Sequence, residues 1–258
     1  MKKSFIVGNW KMHFTVGESS LFLNRLEEKL HPSRSLEVII APSTIALQPL
    51  SLQVNRRKLK LCCQNISGND YGAYTGETSV SQIRAMVDYV IVGHSERRIL
   101  YGETDKDIRA KVSAALRAGL KPIICIGETA ESRREGETFD VIRDEISSAL
   151  SDVSLESLPN VILAYEPVWA ISSTKGSRLA SPEKVSEVIN FIHSYLSETY
   201  GEVSIPILYG GSVNPSNAAA YLSIPGINGL LVGNSSLIVS EFNDIIEIAK
   251  KKEYDDEY

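Results

Sequence analysis

The sequence predicts an α/β protein with one domain, an eight-stranded parallel βα barrel. Eight short apolar runs recur along the 258 residues, and segments with helical periodicity lie between them. Most of the runs are almost continuously apolar, which is typical of parallel strands covered on both faces. An open, doubly wound sheet is the alternative, but it usually has a glycine-rich nucleotide turn after its first strand. Residues 8–11 (Gly-Asn-Trp-Lys) lack that motif.

Each strand is predicted from one short run rich in β-forming residues. In chain order the predicted strands are 5–10, 37–41, 59–64, 89–93, 122–126, 161–165, 205–209 and 229–232.

The predicted helices follow from apolar residues spaced three, four and seven positions apart. The clearest stripes lie in 108–116, 139–150 and 185–196. Ser181 and Pro182 provide a capping hydroxyl and a preset φ, so a helix is expected to begin there. Segment 44–54 is the weakest helix because Pro49 interrupts it.

Composition and charge exclude several classes of protein. The net charge is -5, and no basic run exceeds a few residues, so neither nucleic acid nor a membrane is expected as the main partner. No stretch approaches ~20 apolar residues and no signal peptide is recognisable, so a cytoplasmic location is expected. The three cysteines lack C-x-x-C spacing, which favours buried, reduced thiols. We expect a barrel domain over 1–252 and a frayed, charged tail over 253–258.

The candidate site follows from the barrel itself, because barrel active sites form at the carboxyl ends of the strands. The residues found there are Asn9, Lys11, His94, Glu96, Glu166, Gly210, Gly211, Ser212, Gly233 and Asn234. Taken singly, each has an ordinary role, such as a salt-bridged carboxylate or a tight turn. Their convergence on one rim favours a catalytic site.

An anion site is predicted in the loops after strands seven and eight, where phosphate groups often bind in barrels. Gly211, Ser212, Gly233 and Asn234 are small or turn-forming residues that let backbone N–H groups approach an anion. The sequence has no metal-ligand motif and no nucleotide fingerprint, so no cofactor or metal is expected. The side chains must then carry the chemistry themselves, which implies general acid–base catalysis.

Several motifs, in order, resemble those of one enzyme family. They are G-N-W-K-M at 8–12, G-A-Y-T-G-E at 72–77, V-G-H-S-E-R-R at 92–98, C-I-G-E-T at 125–129, Y-E-P-V-W-A at 165–170, Y-G-G-S-V at 209–213 and L-V-G at 231–233. Over essentially its whole length the chain resembles the triosephosphate isomerases. The resemblance implies a TIM barrel that interconverts dihydroxyacetone phosphate and D-glyceraldehyde 3-phosphate through an enediolate, in glycolysis and gluconeogenesis.

The same resemblance implies roles for individual residues. Glu166 would move the proton between neighbouring carbons, and His94 would polarise the carbonyl and shuttle protons between the oxygens. Lys11 would add positive charge, Asn9 would orient the substrate, and Glu96 would pair with Lys11. These residues fit an intermediate whose negative charge develops on oxygen, since preorganised donors stabilise such charge.

The resemblance also implies a homodimer, in which the loop around Thr75 reaches the active site of the partner subunit. The long connection 65–78 suits such a role, because loops of that length usually have a function.

The segment after Trp169 departs from the family pattern. The family usually has Ile-Gly-Thr-Gly there, followed soon by proline, whereas residues 171–182 are I-S-S-T-K-G-S-R-L-A-S-P. By position, the amide of Ser172 would bind the phosphate. Because a lid excludes water and protects a reactive intermediate, this longer lid is expected to slow closure or let the intermediate lose phosphate.

Two other functions stay open at this stage. One is a barrel enzyme that acts on a different phosphorylated sugar. The other is a phosphate-binding protein without catalytic activity.

Overall fold

The computed structural model describes residues 3–171 and 178–256, and it contains a closed barrel of eight parallel strands. Each strand pairs with the next along the chain, and the last pairs with the first, as predicted. The strands are β1 Ser4–Asn9, β2 Leu36–Ala41, β3 Lys60–Cys63, β4 Tyr89–Val92, β5 Lys121–Ile126, β6 Ile162–Tyr165, β7 Ile207–Tyr209 and β8 Gly229–Val232.

Helices connect the strands on the outside of the barrel. They are α1 Val16–Glu27, α2 Thr44–Gln53, α3 Val80–Ile83, α4 Ser95–Tyr101, α5 Asp105–Arg117, α6 Ala130–Glu135, α7 Thr138–Leu150, α8 Pro182–Tyr200, α9 Ala218–Leu222 and α10 Val239–Asp256. Helix α8 begins at Pro182 with Ser181 as its N-cap, as the sequence predicts. Helix α10 continues beyond Lys252, where the apolar pattern ends. In the described ranges, no helix is long and apolar enough to cross a bilayer.

Helix α2 forms although Pro49 lies within it, so the weakness expected for segment 44–54 does not prevent a helix. Proline removes one intrahelical hydrogen bond. The helix nevertheless buries Ala46, Leu47 and Leu50, and it packs against α1. Apolar burial of this kind is worth about 1.5–3 kcal/mol for each large side chain, which offsets the local penalty.

The apolar core has two layers, one inside the barrel and one between the barrel and its helices. Alternate strand residues point into each layer, because successive side chains of a strand face opposite sides. Cys62 and Cys125 lie in the inner layer and Cys63 in the outer one, and all three are free and buried, as predicted. Burial raises the pKa of all three thiols, that of Cys63 to about 11, so they act as small apolar side chains.

Closure of the barrel between β8 and β1 depends on Gly229. A Cβ atom there would lie 1.8 Å from the carbonyl oxygen of Phe5, the residue that pairs with Gly229. Its φ of +157° also disfavours other residues. Only glycine lets the two strands approach this closely.

Candidate active site

A cavity of about 180 Å³ opens at the carboxyl ends of the strands. Residues that follow β1, β4, β6, β7 and β8 line it, so residues far apart in the chain meet there. Among the residues singled out from the sequence, those in its wall are Asn9, Lys11, His94, Glu166, Gly210, Gly211, Ser212, Gly233 and Asn234. Ser172 lies outside the described residues.

Glu166 and His94 face each other at the floor of this cavity. His94 Nε2 lies 3.3 Å from Glu166 Oε1, and the backbone N–H of Ser95 points to Glu166 Oε2 at 3.5 Å. Both side chains are buried, Glu166 to the point that only 2% of it is exposed. A carboxylate held with so little water can act strongly on a molecule that enters the cavity.

Helix α4 fixes the tautomer of His94. The imidazole caps the helix, since the backbone N–H of Glu96 donates to Nδ1 at 3.2 Å. Because Nδ1 accepts this bond, a neutral ring carries its proton on Nε2, the nitrogen that faces Glu166 and the cavity. His94 can therefore donate a hydrogen bond to an oxygen atom bound there.

Lys11 reaches the cavity from a strained backbone. Its φ is +51°, which is uncommon for a residue other than glycine and is typical of functional sites. The amide of Lys11 donates to Asn9 Oδ1 at 3.0 Å, and Gln64 Nε2 donates to its carbonyl oxygen at 2.8 Å. Lys11 Nζ lies 2.6 Å from Glu96 Oε1, so the pairing inferred from the family resemblance is present.

Gln64 was not singled out from the sequence, because it ends a predicted strand and belongs to no recognised motif. It supports Lys11 as described and also donates to the carbonyl oxygen of Ala41, at 2.9 Å. It thus ties the loop after β1 to the end of β2.

Two glycines make room for Glu166. At Gly210, a Cβ atom would lie 2.7 Å from Glu166 Cγ, and at Gly127 it would lie 2.0 Å from the Glu166 carbonyl oxygen. Sequence reasoning listed Gly210 only among the residues on the rim of the barrel. The structure adds that Gly210 allows the carboxylate its position, whereas Gly127 allows the end of β5 to touch the backbone of Glu166.

The wall on the β7 and β8 side contains three glycines, Gly210, Gly211 and Gly233. Gly233 follows β8, and the short 3-10 turn Asn234–Leu237 begins directly after it. Ser212 also lines this wall, but both its amide and its hydroxyl donate to the carbonyl oxygen of Ala170, at 3.1 and 2.7 Å. Its donors are thus directed to Ala170, shortly after β6, rather than into the cavity.

A buried carboxylate outside the predicted site, Glu128, holds the residues on both sides of Glu166. It accepts hydrogen bonds from Tyr165 Oη at 3.1 Å and Trp169 Nε1 at 2.8 Å, and it pairs with Arg133 Nη1 at 2.9 Å. Burial, with the negative charge of Glu128 close by, raises the pKa of Tyr165. A glutamate directly after β5, within the motif at 125–129, is the sequence signal that could have revealed it.

Thr75 does not line the cavity that contains His94 and Glu166. It lies on the exposed loop after β3, and its neighbours Gly76 and Glu77 line a second cavity of about 310 Å³ beside Lys11 and His94. Apolar side chains are exposed in this region: Met12, Tyr74, Ile99, Leu100 and Tyr101.

At the mouth of this βα barrel, a buried carboxylate faces an imidazole donor across a small cavity. That arrangement is typical of an enzyme that works by general acid–base catalysis. A profile of the triosephosphate isomerase family matches residues 4–249. The chain belongs to the triosephosphate isomerase family, and it is an isomerase.

Individual relatives match the chain over nearly its whole length. The triosephosphate isomerase of Natranaerobius thermophilus is 39% identical over 97% of this chain and 98% of that protein. That of Alkaliphilus oremlandii is 42% identical, covering 95% and 99% respectively. The crystal structure of triosephosphate isomerase from Bartonella henselae superposes with a TM-score of 0.86 at 39% identity, covering 96% of this chain and 99% of that one.

Proposed function

We propose that Glu166 and His94 carry the proton transfers by which this isomerase interconverts dihydroxyacetone phosphate and D-glyceraldehyde 3-phosphate. The observation that carries the assignment is the 3.3 Å approach of His94 Nε2 to Glu166 Oε1 in the wall of a cavity that Lys11 also lines. A base and a hydrogen-bond donor at that separation can serve two adjacent atoms of one small substrate.

In the forward direction, the carboxylate of Glu166 removes a proton from the carbon next to the carbonyl group. The electron pair moves onto the carbonyl oxygen and forms an enediolate, which Nε2–H of His94 and the ammonium of Lys11 stabilise. Exchange of protons at the two oxygens, through His94, prepares the second half of the reaction. Glu166 then returns its proton to the neighbouring carbon.

The phosphate group is proposed to lie on the opposite wall, against Gly211, Gly233 and Asn234. Small residues there let backbone N–H groups approach the anion. A contact from Ser212 requires that its hydrogen bonds to Ala170 first break, since both of its donors are engaged. We therefore expect phosphate binding and movement at the base of the lid to be coupled.

The test is a coupled assay with each triose phosphate, run beside a measurement of inorganic phosphate released from the substrate. We expect turnover in both directions and its loss in Glu166→Gln, which keeps the shape of the side chain but removes the base. Turnover of a different sugar phosphate in preference would identify another barrel isomerase. Tight binding of triose phosphate without turnover would identify a binding protein, and either result would overturn the proposal.

We also propose that the chain acts as a homodimer, joined through the loop around Thr75. The support is the exposed apolar group near the second cavity, since a large exposed apolar patch usually marks an interface. Met12, for example, is 95% exposed.

We propose a cytoplasmic location for the chain, and the three free, buried thiols support that location.

Sedimentation of the purified chain tests the dimer. We expect twice the mass of one chain for the native protein, and Thr75→Arg should shift the mass toward that of one chain and lower kcat. Leu155→Arg is a matched control, because Leu155 is also exposed but follows α7, away from the second cavity. A native protein with the mass of a single chain at micromolar concentration would disprove the dimer.

A further inference from the structure

Arg98, on helix α4, binds the turn that directly precedes His94. Its Nε donates to the carbonyl oxygen of Gly93 at 3.0 Å, and its Nη1 lies 2.6 Å from Asp105 Oδ1 and 3.3 Å from Glu145 Oε1. Gly93 has a φ of +70°, so the chain turns sharply just before His94. The guanidinium group therefore holds the residue on which the direction of the imidazole depends.

Glu145, on helix α7, binds the backbone that lies against Glu166, the other residue of the pair. Its Oε2 accepts the backbone N–H of Gly127 at 2.8 Å, and Gly127 lies against the backbone of Glu166. The amide of Glu166 in turn donates to the carbonyl oxygen of Ile126 at 2.7 Å. The end of β5 thus contacts Glu166 through two successive residues, and Glu145 holds one of them.

We propose that Arg98 and Glu145 are positioning residues that set the separation of His94 and Glu166. Strands β4 and β6 are not neighbours in the barrel, because β5 lies between them. The two side chains bridge this gap behind the site, from Gly93 to Gly127. The proposal rests on the catalytic roles proposed above for His94 and Glu166.

The arrangement is better explained by positioning than by stability. A buried ion pair adds little to stability compared with an apolar pair of the same volume, because both charges lose their hydration. Arg98 Nη2 is also buried without a hydrogen-bond partner among the described residues, which adds to that penalty. What the pair provides is a fixed geometry, since a guanidinium group binds its acceptors in defined directions.

The experiment compares kcat and KM in Glu145→Ala, Glu145→Gln and Arg98→Lys. Glu145→Ala removes the acceptor of the Gly127 N–H, and we expect kcat to fall on the order of tenfold to hundredfold with KM nearly unchanged. Glu145→Gln keeps an oxygen acceptor and should recover part of the loss. Asp140→Asn is the matched control, because Asp140 lies on the same helix in an exposed ion pair with Arg143. Its kcat should stay at the wild-type value.

A second readout does not depend on turnover. The ¹⁵N resonances of the His94 ring should shift in Arg98→Lys and Glu145→Ala without substrate, and should not shift in Asp140→Asn. If Glu145→Ala does not fold by circular dichroism, Glu145→Gln and Arg98→Lys decide the question. Values of kcat within about twofold of wild type and unmoved His94 resonances would overturn the proposal. If instead the wild type does not isomerise triose phosphate, the proposed function fails, and the resonances still decide whether the pair positions His94.

Discussion

Replacing Gly210 by alanine should displace the carboxylate of Glu166 without removing any charged group. The new Cβ would lie 2.7 Å from Glu166 Cγ and 3.2 Å from Oε1, whereas ordinary contact begins near 3.4 Å. Glu166 must therefore move by about 0.7 Å or more. Displacements approaching 1 Å can lower rates on the order of 100-fold, so we expect kcat to fall tenfold to hundredfold, or about 1.4–2.7 kcal/mol in activation free energy.

The assay is steady-state isomerisation in both directions, with thermal unfolding measured on the same sample. KM should change less than kcat, because the alanine methyl group touches the base rather than the wall formed by Gly233 and Asn234. Gly17→Ala is the control, since no atom lies within 4 Å of its Cβ position on α1. This control should keep its kcat and unfold at the same or a higher temperature, because alanine favours helix over glycine.

If Gly210→Ala folds and its kcat stays within about twofold of wild type in both directions, the position of Glu166 that the structure gives does not limit catalysis.

Three further changes test the base, the buried acid and the closure of the barrel. Glu166→Asp keeps the carboxylate but withdraws it by one methylene, so kcat should fall on the order of 100-fold or more; near-normal turnover would remove Glu166 from the role of base. Burial raises the pKa of Glu145 to about 7, against the opposing effects of Arg98 and the Gly127 N–H. Its contribution to the free energy of unfolding is thus complete below about pH 4.5 and falls by about 3 kcal/mol as the pH rises through 7. Urea unfolding should show that fall in wild type relative to Glu145→Gln, and parallel profiles would contradict it. Gly229→Ala should lower the free energy of unfolding by about 4 kcal/mol, because its methyl group would overlap the β1 backbone. An unchanged urea midpoint would show that β1 and β8 can move apart to accommodate the methyl group.

The strands were predictable because each one is a short apolar run whose composition differs from its surroundings. Every observed strand lies within two residues of its predicted bounds, and the last coincides with its prediction. Helix α2 was expected to be weak because local propensity counted Pro49 but not the packing of Leu47 and Leu50 against α1. Packing between elements is a tertiary property, and a window of neighbouring residues does not contain it.

The rim residues could also be located from the sequence, since a barrel brings the carboxyl ends of its strands together. The hydrogen bonds that orient them could not. The tautomer of His94 depends on the backbone N–H of Glu96, and the engagement of Ser212 depends on the carbonyl oxygen of Ala170. Glu145 was missed because it lies mid-helix, where its sequence context resembles that of a solvent-exposed residue.

Because β8 pairs with β1, the cavity is complete only after the last strand has been synthesised. Asn9 ends the first strand and Asn234 follows the last one, yet both line the same cavity. During synthesis the chain emerges from its amino terminus, so a nascent polypeptide contains His94 and Glu166 long before the residues that complete the wall. Until the final strand has left the ribosome and docked, Glu166 and His94, the proposed proton-transfer groups, have no complete pocket in which to retain an unstable intermediate.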